Sequence, residues 1–131
     1  MGQVTGMKRV TLDTNAIIYF LKSEPGVVER IRQFRLDRLP LYVSAITELE
    51  VLSHASLTAA QIVDINEFLR TLAVMPVDSS IARSAADLRR KYRLRTPDSA
   101  IAATAMAVGS TLATRDIGHF EKIKELSLER I

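Results

Sequence analysis

An α/β domain built on a largely parallel sheet is the fold class that this sequence predicts. Three observations lead there. Short runs rich in β-branched residues alternate with longer stretches of helical periodicity along the chain. The 131 residues are enough to bury a core of their own. No internal repeat, low-complexity segment or linker divides them, so residues 1–131 read as a single domain, with residues 1–6 as a flexible extension and Met7 available as the natural start.

The elements follow in order. Residues 9–13 (RVTLD) form the first strand. Asn15 is placed to cap a helix over residues 16–22. Pro25 suits the first turn of a second helix, on which Val27, Ile31 and Phe34 fall on one face. Residues 41–43 are a brief strand and residues 46–55 a helix. Thr58 and Gln61 have the spacing of a capping box, and Ile62, Ile65, Leu69 and Leu72 give the helix behind them one apolar stripe. Residues 73–77 are the next strand; Asp78 then caps a helix with Ile81, Ala85, Leu88 and Tyr92 on its apolar face. Thr96 as cap and Pro97 in the first turn start another helix, running to about residue 108. That helix is apolar on every side, which predicts burial on every side. Residues 111–114 are a strand, residues 120–124 a short helix, and Leu126, Leu128 and Ile131 mark a last edge strand.

Composition excludes several kinds of protein. Without cysteine there are no disulfides and no thiolate metal sites, and two histidines are too few for a histidine-rich zinc site. No apolar run is long enough to span a bilayer. Residues 1–6 lack the apolar core of a signal peptide and miss the myristoylation pattern, so no membrane association is expected and the expected location is the cytoplasm. A net charge of +3 tolerates a polyanionic partner.

Chemistry is carried by four carboxylates at junctions between elements. Asp13 ends the first strand, Glu50 lies early in a helix, Asp98 lies in the first turn of the buried helix, and Asp116 follows the strand ending at Thr114. In an open parallel sheet, the crevice at the carboxyl ends of the strands is where ligands bind, and strand ends and helix starts point into it. Like carboxylates held close together repel unless a divalent cation resolves the conflict. Oxygen donors without Cys or His suit Mg²⁺ or Mn²⁺, ions that serve phosphate chemistry by activating water, orienting the phosphate and offsetting charge on the leaving oxygen.

Each acid also has an ordinary structural explanation. Asp98 is the only charged residue between Thr96 and Thr114, and a helix-start aspartate facing the dipole is the plain alternative. Since Thr96 can supply the cap, function is favoured. Asp13 could cap the next helix, a task that Asn15 can perform instead. Glu50 could return to the Thr47 amide as a capping box, with Glu48 as a second nearby carboxylate, and spacing leaves this even. Asp116 could be a turn residue.

The segments that hold these acids resemble the PIN-domain family, and in particular its VapC-type toxins. LDTN followed by AIIYFL at residues 12–21 looks like the opening aspartate motif of that family. SAITELEVL at residues 44–52 is similar to the second motif and puts its glutamate on Glu50 rather than Glu48. TPDSAIAATA at residues 96–105 resembles the third motif, with its aspartate at Asp98, and TRDIGHF at residues 114–120 the closing one, with its acid at Asp116. Each motif alone is weak; all four in order across nearly the whole chain are specific. Ser53 stands where many relatives carry glycine. His119 stands where an acid is frequent, which leaves the fourth corner resting on Asp116. His54, one turn past Glu50, reads as packed or solvated.

The resemblance implies a three-layer α/β/α sandwich and a Mg²⁺- or Mn²⁺-dependent endoribonuclease. It also implies a homodimer and a cognate antitoxin that lays an apolar segment against the helices near the first motif. Asp13, Glu50 and Asp98 would hold one metal, with Asp116 helping it or a second one, and hydrolysis would leave a 5′-phosphate and a 3′-hydroxyl. Thr14, Asn15, Ser99 and Thr114 lie beside the acids in sequence and are expected to orient them; ordinary capping is the alternative. RNA needs positive charge, and Arg83, Arg89, Arg90, Lys91, Arg93 and Arg95 cluster just before the third motif, with Arg115 beside Asp116. A basic solvated helix face would look the same.

Other readings fit less well. A phosphatase of the HAD type needs a second acid where Asn15 stands, and a response-regulator receiver needs an acidic pair, a mid-chain phosphoacceptor and a late lysine that do not fall into place. A pancreatic-type ribonuclease needs paired histidines. The alternative from another class is a catalytically silent PIN-fold module that binds RNA or protein, for which four acids in one crevice would serve no purpose.

Overall fold

The structure, a computed structural model, describes residues 8–131, so the extension and the alternative start at Met7 lie outside the described residues. The elements in chain order are β1 (Val10–Leu12), α1 (Thr14–Leu21), α2 (Pro25–Leu36), β2 (Leu41–Ser44), α3 (Ala45–Leu52), α4 (Ala59–Leu69), β3 (Ala73–Met75), α5 (Ser79–Tyr92), α6 (Thr96–Ala107), β4 (Thr111–Thr114), α7 (Ile117–Phe120) and β5 (Ser127–Arg130). The five strands pair in the order β3-β2-β1-β4-β5. Every pairing is parallel. The predicted α/β/α fold is therefore what the chain adopts.

Two apolar clusters pack on the sheet. Val10, Leu12 and Val43 point to the first, with Ala16 and Ile17 of α1, Val27, Ile31 and Phe34 of α2, and Ile65, Phe68 and Leu69 of α4. Leu112 points to the second, with Ile81, Ala85 and Leu88 of α5, Ile101, Ala102 and Ala105 of α6, and Phe120. Adjacent residues of β4 divide between the clusters, Leu112 to one and Ala113 to the other, as the alternation of a strand requires. Helix α6 is buried from Asp98 to Ala105, as its all-round apolar sequence predicts. Alanines at 100, 102, 103 and 105 let it lie close to the sheet.

The strand order positions the site. The chain moves from β1 outward to β2 and β3, then returns to lay β4 and β5 on the other side of β1. The order reverses between β1 and β4, and ligands bind outside the carboxyl ends of strands at such a switch point. Asp13 directly follows β1, and Asp116 stands two residues past β4. Helix α3 starts directly from the end of β2.

Several local expectations need correction. Ile62 is 38% exposed, and the buried face of α4 is Ile65, Phe68 and Leu69, so the stripe is rotated toward Phe68, which stacks on Phe20 at 4.4 Å between ring centroids. The short helix after β4 is Ile117–Phe120, not residues 120–124. Here the turn begins at Asp116 because Phe120 must close it by dropping into the second cluster. The predicted caps of α1, α3 and α6 also differ, and each difference bears on the acids.

Candidate active site

All four acids line one crevice of about 390 Å³, together with Thr14, Asn15, Arg95 and His119, over an apolar floor of Ile18, Ile101 and Phe120. They come from four separate elements: the end of β1, the middle of α3, the first turn of α6 and the turn after β4.

Asp13 is the N-cap of α1: its Oδ1 accepts the Ala16 amide at 2.7 Å. Asn15 was expected to cap and does not; its side-chain amide donates to Asp116. The other oxygen of Asp13 accepts the Thr114 hydroxyl at 2.5 Å. Only 3% of Asp13 is exposed. Burial raises its pKa from 3.8 to about 6, against those two bonds, and the nearby charges of Asp116 and Asp98 push it further up. This carboxylate therefore senses two other acids of the set.

Glu50 is not a capping-box residue. Ser44 caps α3 by accepting the Ile46 amide at 3.2 Å, which puts Thr47 inside the helix. Glu50 instead accepts the Thr14 hydroxyl at 2.5 Å, and the Thr47 hydroxyl stands 3.0 Å from that of Thr14. Since Thr14 donates its one proton to Glu50, Thr47 donates to Thr14. Thr47 is a supporting residue that sequence reasoning missed; its place one turn before Glu50 was the signal. Glu48 does not line the crevice.

Asp98 is 8% exposed. Helix α6 begins at Thr96 with Arg95 at the cap position and no side-chain cap, so the Thr96 cap is not formed. Arg95 reaches over to Asp98, with Nε 3.1 Å from one carboxylate oxygen and a terminal nitrogen 3.3 Å from the other. Asp116 makes no cap bond to α7. Its amide donates to the Thr114 hydroxyl at 2.9 Å.

Of the expected supporting residues, Thr14, Asn15 and Thr114 each bond an acid of the crevice, whereas Ser99 donates to the Thr96 carbonyl of its own helix at 2.7 Å. Thr114 links two of the acids: one buried hydroxyl donates to Asp13 and accepts from the Asp116 backbone. Thr114→Val should remove both bonds and destabilise the fold by about 1–3 kcal/mol. It should also lower any activity of the crevice about 10–100-fold, with Thr114→Ser close to wild type; urea unfolding and cleavage kinetics measure the two effects.

The basic residues separate into groups. Arg95 lines the crevice. Arg90 is paired with Asp87 at 2.6 Å and Lys91 with Glu125 at 3.4 Å, while Arg83, Arg89 and Arg93 are exposed, and none of these five lines the crevice. Arg115 is turned away from the acids. It bonds Glu24 at 2.7 Å and the Ile131 carbonyl at 2.9 Å, and lies over the Tyr19 ring. Its role is to tie the end of the last strand to the cap of α2.

The donor chemistry of the crevice fits a hard divalent cation: four carboxylates and no sulfur. As the side chains stand, among the described residues no three acidic or histidine groups form a ready ligand set. Each acid is held instead by a hydroxyl, an amide or a guanidinium.

The model of the PIN domain family matches residues 10–126, and the chain belongs to that family. Solved VapBC structures share its fold and support the VapC-type resemblance. The VapBC of Salmonella typhimurium, solved bound to DNA, is 28% identical, with 95% of this chain and 98% of that chain covered and a TM-score of 0.78. A toxin–antitoxin complex from Klebsiella pneumoniae is 27% identical over 89% of this chain and 94% of that one, with a TM-score of 0.75. VapBC2 of Rickettsia felis, solved bound to a DNA fragment of its promoter, is 21% identical over 93% and 98%, with a TM-score of 0.81, a likeness of fold. No curated protein matches the chain in a sequence search. Among the described residues no helix is long and apolar enough to cross a membrane.

Proposed function

We propose that this chain is a metal-dependent endoribonuclease of the VapC type, the toxin of a toxin–antitoxin pair, acting in the cytoplasm as a homodimer. The observation that carries the reading is the meeting of Asp13, Glu50, Asp98 and Asp116 in one crevice at the switch point of a parallel sheet. A protein that only bound RNA would gain nothing from gathering negative charge there.

In this reading Asp13, Glu50 and Asp98 hold Mg²⁺ or Mn²⁺, with Asp116 assisting. The ion, when bound, supplies an activated water and offsets charge on the phosphate and the leaving 3′ oxygen. The chain's own residues set the geometry. Thr114 and the Ala16 amide fix Asp13, Thr14 fixes Glu50, and Asn15 fixes Asp116. Ile18, Ile101 and Phe120 keep water from the base of the crevice. Arg95 and His119 are the groups at its wall able to face a phosphodiester. In the same reading the partner's segment lies against the helices near the first motif. A second groove of about 470 Å³ runs between α1, α3 and α4, is lined by Leu21, Val51, Leu57 and Ile65, and shares Ile18 and Glu50 with the acid crevice.

The test is cleavage of a mixed structured-RNA pool by purified protein with Mg²⁺, with Mn²⁺ and with EDTA, the product ends being mapped. Metal-dependent cuts that leave 5′-phosphates support the reading. Activity that survives EDTA overturns it. A folded protein that neither cleaves nor binds Mn²⁺ is the silent module instead.

A further inference from the structure

We propose that Arg95 is a resident counter-ion of the acid crevice, which holds Asp98 until a divalent ion displaces it and then takes hold of the substrate phosphodiester. The inference rests on the reading of the crevice as a metal-dependent nuclease site, and assigns within it an order of events.

The geometry is that of a removable clamp. Arg95 stands outside the first turn of α6, three residues before Asp98. Its guanidinium addresses both oxygens of the Asp98 carboxylate, through Nε and one terminal nitrogen. Those oxygens are the ones an ion would need. Asp98 itself cannot turn away, because α6 is buried from that residue onward. Arg95 can: its side chain is 69% exposed, against 11% for Asp98. The clamp can therefore leave by swinging into solvent, with no repacking of the core.

Its charge is directed at the whole set. Besides its bonds to Asp98, Arg95 lines the same crevice as Glu50 and Asp116. One guanidinium thus offsets repulsion among acids from three elements, the task otherwise met by a divalent ion. Two cations compete for one cluster, and the divalent one wins by charge. Because Arg95 is rooted at the start of α6 beside the crevice, the displaced guanidinium stays within reach of a phosphate bound there. A planar group that grips a carboxylate at two points grips a phosphate in the same way. Metal entry and substrate capture become linked, because the group that the ion expels is the one that the phosphate meets.

The experiment measures Mn²⁺ affinity by titration calorimetry, and cleavage kinetics at saturating Mn²⁺, for wild type, Arg95→Ala and Arg95→Lys. Thermal melting checks that each is folded. Arg95→Ala should bind Mn²⁺ roughly ten-fold more tightly, since removal of a charge-assisted pair frees Asp98. Its KM for RNA should rise roughly ten-fold, with kcat changing much less. Arg95→Lys, which keeps the charge and loses the fork, should fall between. Equal or weaker Mn²⁺ binding by Arg95→Ala overturns the competition, and makes the pair a structural ion bridge. Tighter binding with an unchanged KM overturns the transfer to phosphate. If folded wild type binds no Mn²⁺, the metal-nuclease reading itself fails, and this inference with it.

Discussion

Replacing Asp98 with Asn is expected to lower metal-dependent RNA cleavage about a thousand-fold while leaving the protein folded. The substitution keeps the shape of the side chain and removes its charge. Because Asp98 projects from a helix that is buried from that position to Ala105, no other carboxylate can move in to replace it. The stability cost is small by comparison. The Arg95 pair that is lost is largely solvated on the arginine side, and a helix-start acid contributes about 0.3–1 kcal/mol. Single-turnover kinetics beside a thermal melt separates the two effects. Cleavage within ten-fold of wild type would remove Asp98 from the site.

The second large effect concerns Asp13 and runs in two directions. Asp13→Asn should abolish cleavage and yet stabilise the protein at neutral pH in the absence of divalent ions. Burial raises the Asp13 pKa from 3.8 to about 6 in the folded protein. The folded state therefore binds this proton more tightly than the unfolded chain, and stability falls as pH rises between those values. Above pH 6 the whole penalty is present, with a ceiling of about 3 kcal/mol; below pH 4 it is absent. Asn retains an acceptor for the Ala16 amide and carries no buried charge. Urea unfolding in EDTA should show the variant more stable by about 1–2 kcal/mol at pH 7.5, and the gain should disappear at pH 4. The same linkage requires wild-type Mn²⁺ affinity to weaken as pH falls through 6, since the ion and the proton compete for Asp13. A gain over wild type no larger at pH 7.5 than at pH 4 would mean that burying this charge is not a source of instability.

The acids were legible in the sequence and their supports only in part. Asp98 stood out as a charge in an otherwise apolar helix, and it lines one crevice with the other three acids. The caps misled because a cap is a competition among neighbours that spacing alone cannot resolve. Asn15 has the chemistry to cap α1, but the Asp13 carboxylate already stands over the Ala16 amide, which leaves Asn15 for Asp116. Likewise Thr47 and Glu50 have capping-box spacing, yet Ser44 ends its strand one residue before α3 and takes the cap first. Arg115 sits beside Asp116 in sequence and faces the other way, because adjacent residues leaving a strand diverge and Glu24 and the Ile131 carbonyl lie on its side. The strand order was not legible at all. It depends on which buried faces meet, and the alternation of apolar residues says only that a face exists. What periodicity did carry was the set of long helices: Val27, Ile31 and Phe34 on α2, Ile81, Ala85 and Leu88 on α5, and the all-round burial of α6.

The insertion of β4 beside β1 has a consequence for when the protein becomes active. Asp13 and the Thr114 hydroxyl that steadies it are separated by 101 positions, and so are Asn15 and Asp116. The first acid therefore leaves the ribosome with its Ala16 partner but long before the Thr114 hydroxyl has been made. Such distant pairing is slow to form and cannot be anticipated by local folding. A nascent chain halted before β4 holds three of the four acids and lacks the strand that carries Thr114. On the proposed function, the cell is spared the nuclease for nearly the whole of its translation, an interval in which the partner can already be waiting.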